Sequence, residues 1–350
     1  MSAMRKFLIK ISYTLLPLWL LAVAAVTYFS LCIVPKASGD IGRLVIIPFG
    51  HEYDSTLARN YIPQTLFTTI DDMTLLKQCR ADVITVGDSF SERGREGYQN
   101  YLAQYGLKVV NCERHLFFNP ITFAYEIMNL GLIDSINTPV LIVECGERGV
   151  DEFMYGFEPK SSLHMMRADK KKLTSKTPNQ WSLSRLKDYF VYRSGFTESP
   201  IHDMKLDGDF FSYKGDERHL YIYRDDIMLM GIPKHHELII KQTWQSLLDK
   251  AAEKGINLLF VVPVDKYDLY QDHIVDNPYP RKVVNEDIKR IFNDDPHILI
   301  TRDYLQPLVE QGEKDIFLFN DTHWSYKAAQ VVAKEIYRRL DGTNKNTGLE

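Results

Sequence analysis

The chain has few cysteines and no excess of basic residues, and both shortages exclude classes of protein. It contains four cysteines in 350 residues. Cys32 lies in an apolar run, so Cys79, Cys112 and Cys145 form an odd set that excludes a fully paired disulfide framework. A bridge between Cys112 and Cys145 stays open if their strands are neighbours. The net charge of -4 argues against nucleic acid as the main partner.

The N-terminus carries the one long apolar run. Residues 11–34, 24 residues without a charge, are enough at ~1.5 Å per residue to cross a hydrocarbon core of ~30 Å. A cleavable signal peptide would have a shorter apolar core of ~7–15 residues, and "VPKASGD" is a weak cleavage site. We expect an uncleaved transmembrane signal anchor, with a cleaved signal or a buried soluble helix as alternatives.

Basic residues before this run predict its orientation. Arg5, Lys6 and Lys10 precede it, and the positive-inside tendency places residues 1–10 in the cytoplasm and the remainder outside. In a bacterium this predicts a single-pass protein of the inner (cytoplasmic) membrane whose main domain lies in the periplasm or outside.

Short apolar runs alternate with helical patterns along the exported part. The strand candidates are residues 82–87, 107–112, 140–146, 256–264 and 297–304, and the helix candidates are 93–105, 119–133, 236–254, 284–293 and 324–340. Continuous β-branched runs are typical of parallel strands that are covered on both faces. The alternation predicts an α/β fold, a doubly wound, mainly parallel sheet with helices on both faces.

The predicted organisation has one break in this rhythm. Residues 35–75 are expected to be a stalk and packing segment, residues 76–342 the catalytic domain, and residues 343–350 a flexible tail. Within the domain, residues 147–235 form an insert after the third strand. It contains "FFSYKGDERHLYIYRDD", which suggests a hairpin around "KGDER", and connections of this length are usually lids or binding loops.

The first strand leads into "VGDSFSERG", which places Ser89 at the edge of the sheet where ligands bind. The backbone N–H groups of such a turn favour developing negative charge, so Ser89 is a candidate nucleophile. The alternative is a tight turn in which Asp88 or Ser89 caps the next helix. A nucleophilic serine also needs a base.

The stretch "FNDTHWSYKAAQ" at residues 319–330 offers that base. In extended chain, residues two apart point to the same side, so Asp321 can accept the Nδ1 proton of His323 and leave Nε2 facing a serine. We expect Asp321 and His323 within hydrogen-bonding reach of each other, and His323 within reach of Ser89. The alternative is a helix cap at Asp321, Thr322 or Ser325.

Together, "GDSFS" near the start of an α/β domain and "DTHWS" before its last helix resemble the SGNH hydrolase-like domain of the alginate O-acetyltransferase family, and of relatives with an Asp-His-His-Trp motif. "VECGERG" at 143–149 and "VVPVDKYDLY" at 261–270 also resemble family segments. The likeness covers about residues 75–340. It implies Ser89 as nucleophile, His323 as base and Asp321 as its orienting partner, with Thr322 in place of the second motif residue.

The oxyanion and substrate contacts are less defined. Wider SGNH enzymes use an asparagine of their third motif, where this chain has "ECGER". The candidates around the nucleophile are therefore Gly87, Asp88, Gly146 and Arg148, with the Ser89 N–H as the best oxyanion donor. An ion pair with Glu144 or Glu147 is the alternative role for Arg148.

Three further residues are candidates for binding a sugar: Lys266, Tyr270 and Trp324. Structural roles are the alternative for Lys266 and Tyr270, and a buried aromatic that anchors the last helix is the alternative for Trp324. His235 and His236 diverge on a helix surface, so we expect no metal site, and we expect no cofactor.

The predicted function is an extracytoplasmic O-acyltransferase, an O-acetyltransferase by resemblance, that modifies a cell-surface or exported polysaccharide through an acyl-serine. The resemblance implies a membrane-bound O-acyltransferase as the partner that supplies acyl groups. Two alternatives stay open. One is an SGNH-type carbohydrate esterase or deacetylase, because transfer and hydrolysis differ in how well the site excludes water. The other is a non-catalytic glycan-binding module of the cell surface.

Overall fold

The fold is built on a parallel sheet. The computed structural model describes residues 3–33, 36–45, 47, 50–134, 140–160, 191, 194, 200–214 and 217–346. The strands are β1 (Thr68–Ile70), β2 (Val83–Val86), β3 (Val109–Cys112), β4 (Val140–Glu144), β5 (Ile201–Lys205), β6 (His219–Tyr223), β7 (Asn257–Val262) and β8 (Ile298–Ile300). Six of them form one sheet in the order β1-β3-β2-β4-β7-β8, and all its pairs are parallel.

Helices cover both faces of this sheet. The helices of the described residues are α1 (Ala3–Tyr28), α2 (Asp40–Val45), α3 (Gly50–Leu57), α4 (Tyr98–Gln104), α5 (Pro120–Asn129), α6 (Glu147–Tyr155), α7 (Glu237–Lys254), α8 (Lys266–Tyr270), α9 (Val284–Phe292), α10 (Arg302–Glu310) and α11 (Tyr326–Asn346), of which α1 does not pack on the sheet. A π-helical turn (Phe29–Ile33) follows α1, and short 3₁₀ turns include Ser89–Glu92 and Arg224–Ile227.

The central strands are apolar on both sides because two cores meet at the sheet. Ile142 and Leu259 face one buried cluster, whereas Ile84 and Leu141 face the other. Two buried faces are what a parallel sheet between helical layers requires. The predicted fold class is confirmed.

Two predicted elements need correction. The predicted strand at 297–304 ends at Ile300, because the Thr301 N–H makes the last bond to the Val262 carbonyl and the Thr301 carbonyl already accepts from Leu305 N in α10. The hairpin around "KGDER" pairs β6 with β5, in the register Ile201↔Tyr223. Phe210–Tyr213 is not its other strand, since these aromatic rings pack into the core. Residues 161–190 of the predicted insert lie outside the described residues.

The N-terminal helix is long and apolar. A segment from Met4 to Cys32 has the length and composition to cross a membrane, and it is exposed along its length. A signal sequence has the same properties, so the helix itself does not distinguish an anchor from a signal.

The segment predicted as a stalk is part of the domain. It supplies the edge strand β1, whose residues Thr68–Ile70 pair with Val110–Cys112 of β3. Tyr53 and Leu57 of α3 are buried in the core. The boundary predicted at residue 75 therefore cuts through the folded unit.

A buried lysine joins four separate stretches of chain. Lys282 is fully buried and its Nζ lies 2.6 Å from Asp265 Oδ2, 2.9 Å from Glu147 Oε1 and 3.0 Å from the Asp226 carbonyl. Burial by itself opposes the charge on Lys282, but Asp265 and Glu147 outweigh it and raise its pKa. These contacts tie the 3₁₀ turn that follows β6 to the ends of β4 and β7.

Replacing this lysine tests the network. Lys282→Met leaves buried carboxyl groups without their cation, and breaking a buried ion pair costs about 3–5 kcal/mol. We expect a decrease of that size in the free energy of unfolding, measured by urea titration. Lys289→Met is the matched control, because Lys289 lies 40% exposed beside Asp303 and its removal should change stability by less than about 1 kcal/mol. Equal effects of the two changes would contradict the assigned role of Lys282.

Candidate active site

Ser89 lies in a turn that the end of β2 leads into. Asp88 caps the 3₁₀ turn Ser89–Glu92, since its Oδ1 accepts from Phe90 N at 2.9 Å. Ser89 is half-buried at the first position of that turn, where backbone N–H groups have no partner within the helix. Asp88 therefore caps the turn, and Ser89 next to it remains free to act as the nucleophile, so the two predicted roles are compatible.

A buried acid network lies under this turn. Ser91 Oγ donates to Glu144 Oε2 at 2.7 Å. Burial and the nearby Asp88 raise the pKa of Glu144 well above its usual range, so a protonated Glu144 can donate to Asp88. A Cβ atom at Gly87 would lie 2.2 Å from Ser91 Oγ and 2.4 Å from Glu144 Oε2. Gly87 is therefore required for packing and offers no side chain to a ligand.

The predicted oxyanion role of Gly146 does not agree with the structure. The Gly146 N–H donates to Asp88 Oδ2 at 2.8 Å. Its neighbours are also engaged, because Cys145 N donates to the Val261 carbonyl and Glu147 N to the Pro263 carbonyl. The Ser89 N–H is left as the candidate donor, and Asp88 acts by holding the end of β4 against the nucleophile turn.

The Asp-Thr-His sequence forms a tight loop. Phe317 and Trp324 make an antiparallel bridge across it, and Leu318 N donates to the His323 carbonyl at 3.1 Å. The following helix is capped by Ser325, whose Oγ accepts from Lys327 N at 3.2 Å. Because Ser325 takes the capping role, the Asp321 carboxylate is available for His323.

The predicted hydrogen bond between Asp321 and His323 is present. His323 Nδ1 lies 2.6 Å from Asp321 Oδ1, and both residues are buried, with 6% and 8% exposure. Burial by itself would raise the pKa of Asp321, but the hydrogen bond from His323 and the charge of Arg93 outweigh it and hold that pKa well below its usual range. An ionised Asp321 fixes the tautomer that leaves Nε2 to accept a proton.

The two motifs meet in space. The Phe90 ring lies 4.9 Å from the His323 ring and 4.8 Å from Trp324, centroid to centroid, and Arg93 Nη1 lies 3.7 Å from Asp321 Oδ2. No hydrogen bond joins Ser89 to His323, and the buried Nε2 of His323 has no partner among the described residues. The contact between Ser89 and its base therefore stays a prediction.

Lys266 does not lie where a sugar could reach it. It is fully buried, and its Nζ donates to the carbonyls of Leu318 (2.7 Å), Phe319 (2.9 Å) and Asp321 (3.1 Å). Burial lowers its pKa to about 7, although Asp321 opposes this. The predicted sugar contact is corrected to a positioning role, because all three hydrogen bonds of Lys266 Nζ hold the loop that carries Asp321 and His323.

Tyr270 and Trp324 are also fully buried. The Tyr270 hydroxyl accepts from Phe317 N at 3.5 Å at the base of the loop, and the Trp324 ring packs on Phe90. Both therefore take the structural alternative, since neither ring is exposed to a ligand. Arg148 forms its ion pair with Asp226, which follows β6. The predicted alternative, an ion pair with Glu144 or Glu147, is therefore wrong.

Asp40 was not among the site residues predicted from the sequence. Its Oδ1 accepts from Thr322 N at 2.8 Å, and its Oδ2 lies 3.8 Å from His323 Nδ1. Asp40, Asp321 and His323 bring their ligand atoms within 4.8 Å of one another, which is close enough for a metal ion. The 2.6 Å hydrogen bond between His323 Nδ1 and Asp321 Oδ1 already joins two of these ligand atoms, so the trio fits acid–base chemistry better.

A cleft of about 380 Å³ lies beside Asp321. Its lining combines acidic side chains with cationic, aromatic and hydroxyl ones, namely Asp54, Glu96 and Asp321 with Arg43, His51, Ser55, Tyr61, Arg93 and Arg95. Arg95 lies 6.0 Å from the centre of the Tyr61 ring. A polar cleft with an aromatic wall suits a hydroxyl-rich ligand better than an apolar one.

Comparison with known protein families gives a match to the C-terminal third of the chain. Residues 236–350 match the family model described as ALGX, the SGNH hydrolase-like domain of the acetyltransferase AlgX. This range contains Asp321 and His323, while Ser89 and Asp40 lie before it. No curated protein and no solved structure matches the chain significantly. The match favours an enzyme that transfers or hydrolyses acyl groups.

Lys266→Met should release the loop that carries the acid–base pair. Since a short hydrogen bond shifts its proton downfield, His323 Nδ1–H should give a separate downfield proton resonance in the wild type, and that resonance should disappear in the variant. Lys241→Met, on the exposed face of α7, is the control and should retain it. A resonance unchanged in Lys266→Met would show that the loop does not depend on Lys266.

Proposed function

Because residues 236–350 carry an SGNH hydrolase-like domain of the AlgX acetyltransferase family, we propose that this chain is an extracytoplasmic O-acyltransferase, specifically an O-acetyltransferase that modifies a polysaccharide. The observation that carries the proposal is the buried Asp321–His323 hydrogen bond of 2.6 Å, next to the turn of Ser89 and beside an Nε2 that has no partner in the described part of the chain.

In the first half-reaction Ser89 Oγ attacks the acyl carbon of the donor while His323 Nε2 takes the hydroxyl proton. The ionised Asp321 stabilises the imidazolium that forms. Collapse of the tetrahedral intermediate breaks the bond to the leaving oxygen, which receives the proton from His323, and an acyl-serine is left. The Ser89–His323 hydrogen bond forms when substrate is bound, since such bonds are often long in unliganded sites.

The oxyanion of the intermediate is stabilised by the Ser89 N–H. This group lies at the first position of a 3₁₀ turn, where donors point outward. The Gly146 N–H is bound to Asp88, so the oxyanion hole has one backbone donor fewer than is usual. Removing one such donor typically lowers kcat by about 10²–10³-fold. A ligand hydroxyl or the partly exposed Arg148 side chain is available to supply the rest.

In the second half-reaction a sugar hydroxyl loses its proton to His323 and attacks the acyl-serine. The cleft beside Asp321 supports a saccharide acceptor, because the exposed Arg43, His51 and Arg95 offer donors to hydroxyl or carboxylate oxygens. Release of the acylated sugar restores the Ser89 hydroxyl with the proton from His323. The two half-reactions together transfer one acyl group and return the proton to Ser89, so no cofactor is required.

The apolar N-terminal helix supports a donor that arrives from the membrane. Asp40 contacts the catalytic loop and follows Cys32, the last residue of the candidate span, by eight positions. At ~3.6 Å per residue, the Asp321–His323 pair lies within about 30 Å of the end of that span. We therefore propose anchoring in the inner membrane and supply of acyl groups by a membrane-bound O-acyltransferase.

The proposal predicts that Ser89 is essential. Ser89→Ala should lower acetyl transfer from a chromogenic acetyl ester to an oligosaccharide by at least about 10³-fold, since removal of the nucleophile leaves only binding and oxyanion contributions. Ser246→Ala, at a partly exposed position of α7, is the control and should retain full activity. The assay follows chromophore release and the mass of the sugar together.

The same assay separates the alternatives. Acetylated sugar formed by the wild type supports transfer. Chromophore release that no sugar redirects would identify an esterase, and would overturn the transferase. Wild-type activity that, like that of Ser89→Ala, does not exceed the uncatalysed rate would point to a non-catalytic glycan-binding module.

A further inference from the structure

The segment between the apolar helix and the sheet packs on the catalytic loop. Gly42 N donates to the Asn320 carbonyl at 2.7 Å, and Asn320 Nδ2 donates to Ser38 Oγ at 2.9 Å and to Asp54 Oδ1 at 3.0 Å. Gly39 has a φ of +73°, and a Cβ there would lie 2.2 Å from the Asn320 carbonyl oxygen. Only glycine permits this approach of the two backbones.

Asp40 is the residue of this segment that reaches the acid–base pair. Its Oδ1 accepts from Thr322 N at 2.8 Å and from Ile41 N at 2.7 Å. Its own N–H lies 3.3 Å from Asp321 Oδ2. The Asp40 carboxyl therefore binds the backbone between Asp321 and His323 on one side and faces His323 Nδ1, 3.8 Å away, on the other.

We propose that Asp40 is a positioning residue for the Asp321–His323 pair, so that the acid–base machinery is complete only when the segment after the apolar helix is docked. The inference rests on the proposed function and extends it, because Asp40 lies outside the range that the family match covers. It assigns a role in the reaction to a part of the chain that the sequence presents as a stalk.

The groups that face Asp40 come from four elements. Asp321 and His323 belong to the catalytic loop, Arg93 follows the nucleophile turn, Tyr223 ends β6 and Lys266 begins α8. Burial and the charge of Asp321 raise the pKa of Asp40 to about 7, although His323 opposes this. In weak acid Asp40 is therefore protonated and shares a hydrogen bond with Asp321.

Ionisation of Asp40 has a defined direction of effect. A carboxyl group whose pKa is raised by folding stabilises the native state below its unfolded pKa, and this contribution is lost as pH rises through the folded value. Near pH 7 the shared proton leaves, and a second negative charge develops 3.8 Å from His323 Nδ1. The wild-type profile of kcat against pH should therefore contain an inflection near 7 that originates from Asp40.

Two substitutions separate positioning from folding. Asp40→Asn keeps an acceptor for Thr322 N and a donor for Asp321 but cannot ionise, so it should retain kcat within about 3-fold below pH 7 and lose the inflection. Asp40→Ala removes both contacts and should lower kcat by about 10- to 100-fold with little change in KM, because small displacements of a catalytic group are costly. Glu52→Gln, at an exposed position of α3 paired with Lys214, is the control and should match the wild type.

The assay is the full-length chain with the acetyl ester at pH 5 to 9, with melting temperatures measured in parallel. Full kcat in Asp40→Ala, or an inflection near pH 7 that persists in Asp40→Asn, would overturn the role of Asp40. A fall in activity of Asp40→Asn as large as that of Asp40→Ala would also overturn it, since the conservative variant preserves the contacts. Activity that survives Ser89→Ala would instead contradict the proposed function, so the two failures are distinguishable.

Discussion

The site depends on one hydrogen bond, between His323 Nδ1 and Asp321 Oδ1, at 2.6 Å in a loop of six residues. Burial strengthens this hydrogen bond, because an ionised carboxylate away from water holds the imidazole in one orientation and one tautomer. The loop has no regular structure that would fix it. Three contacts from distant parts of the chain replace that support: Lys266 on the loop carbonyls, Asp40 on Thr322 N, and Arg93 beside Asp321.

Keeping Asp321 ionised is a problem of charge. Taking a carboxylate out of water costs several kcal/mol unless cations and donors surround it. Arg93 is the nearby permanent cation, while Lys266 is placed so deeply that burial lowers its pKa to about 7. Asp40 favours the ionised Asp321 in a different way. Its pKa is raised to about 7, so in weak acid Asp40 is neutral and does not repel the Asp321 carboxylate. Asp40 and Lys266, each with a pKa of about 7, titrate in a range where small changes of pH alter the field at His323.

The sequence was informative where a side chain's role follows from local pattern. Five strands of the sheet have continuous apolar runs, so they could be predicted. Asp321 and His323 are two positions apart, so their contact could also be predicted. Sequence could not show that Lys266 points inward, since a lysine after a strand is usually exposed. Asp40 lies 281 residues from Asp321, and only the folded chain brings them together. Phe210–Tyr213 is aromatic like a strand yet packs as core, with the Phe211 ring on Tyr270 and the Tyr213 ring on Phe319.

The central claim is that this buried pair activates Ser89 as a nucleophile. The most direct test is to incubate the protein with an activated acetyl ester, quench it in acid, and map the acetyl group by peptide mass spectrometry. The account predicts one acetyl group on the peptide that contains Ser89, present in the wild type and absent when Asp321→Ala or His323→Ala removes the pair. Acetyl found on lysines alone, or on Ser89 equally in all three proteins, would contradict it.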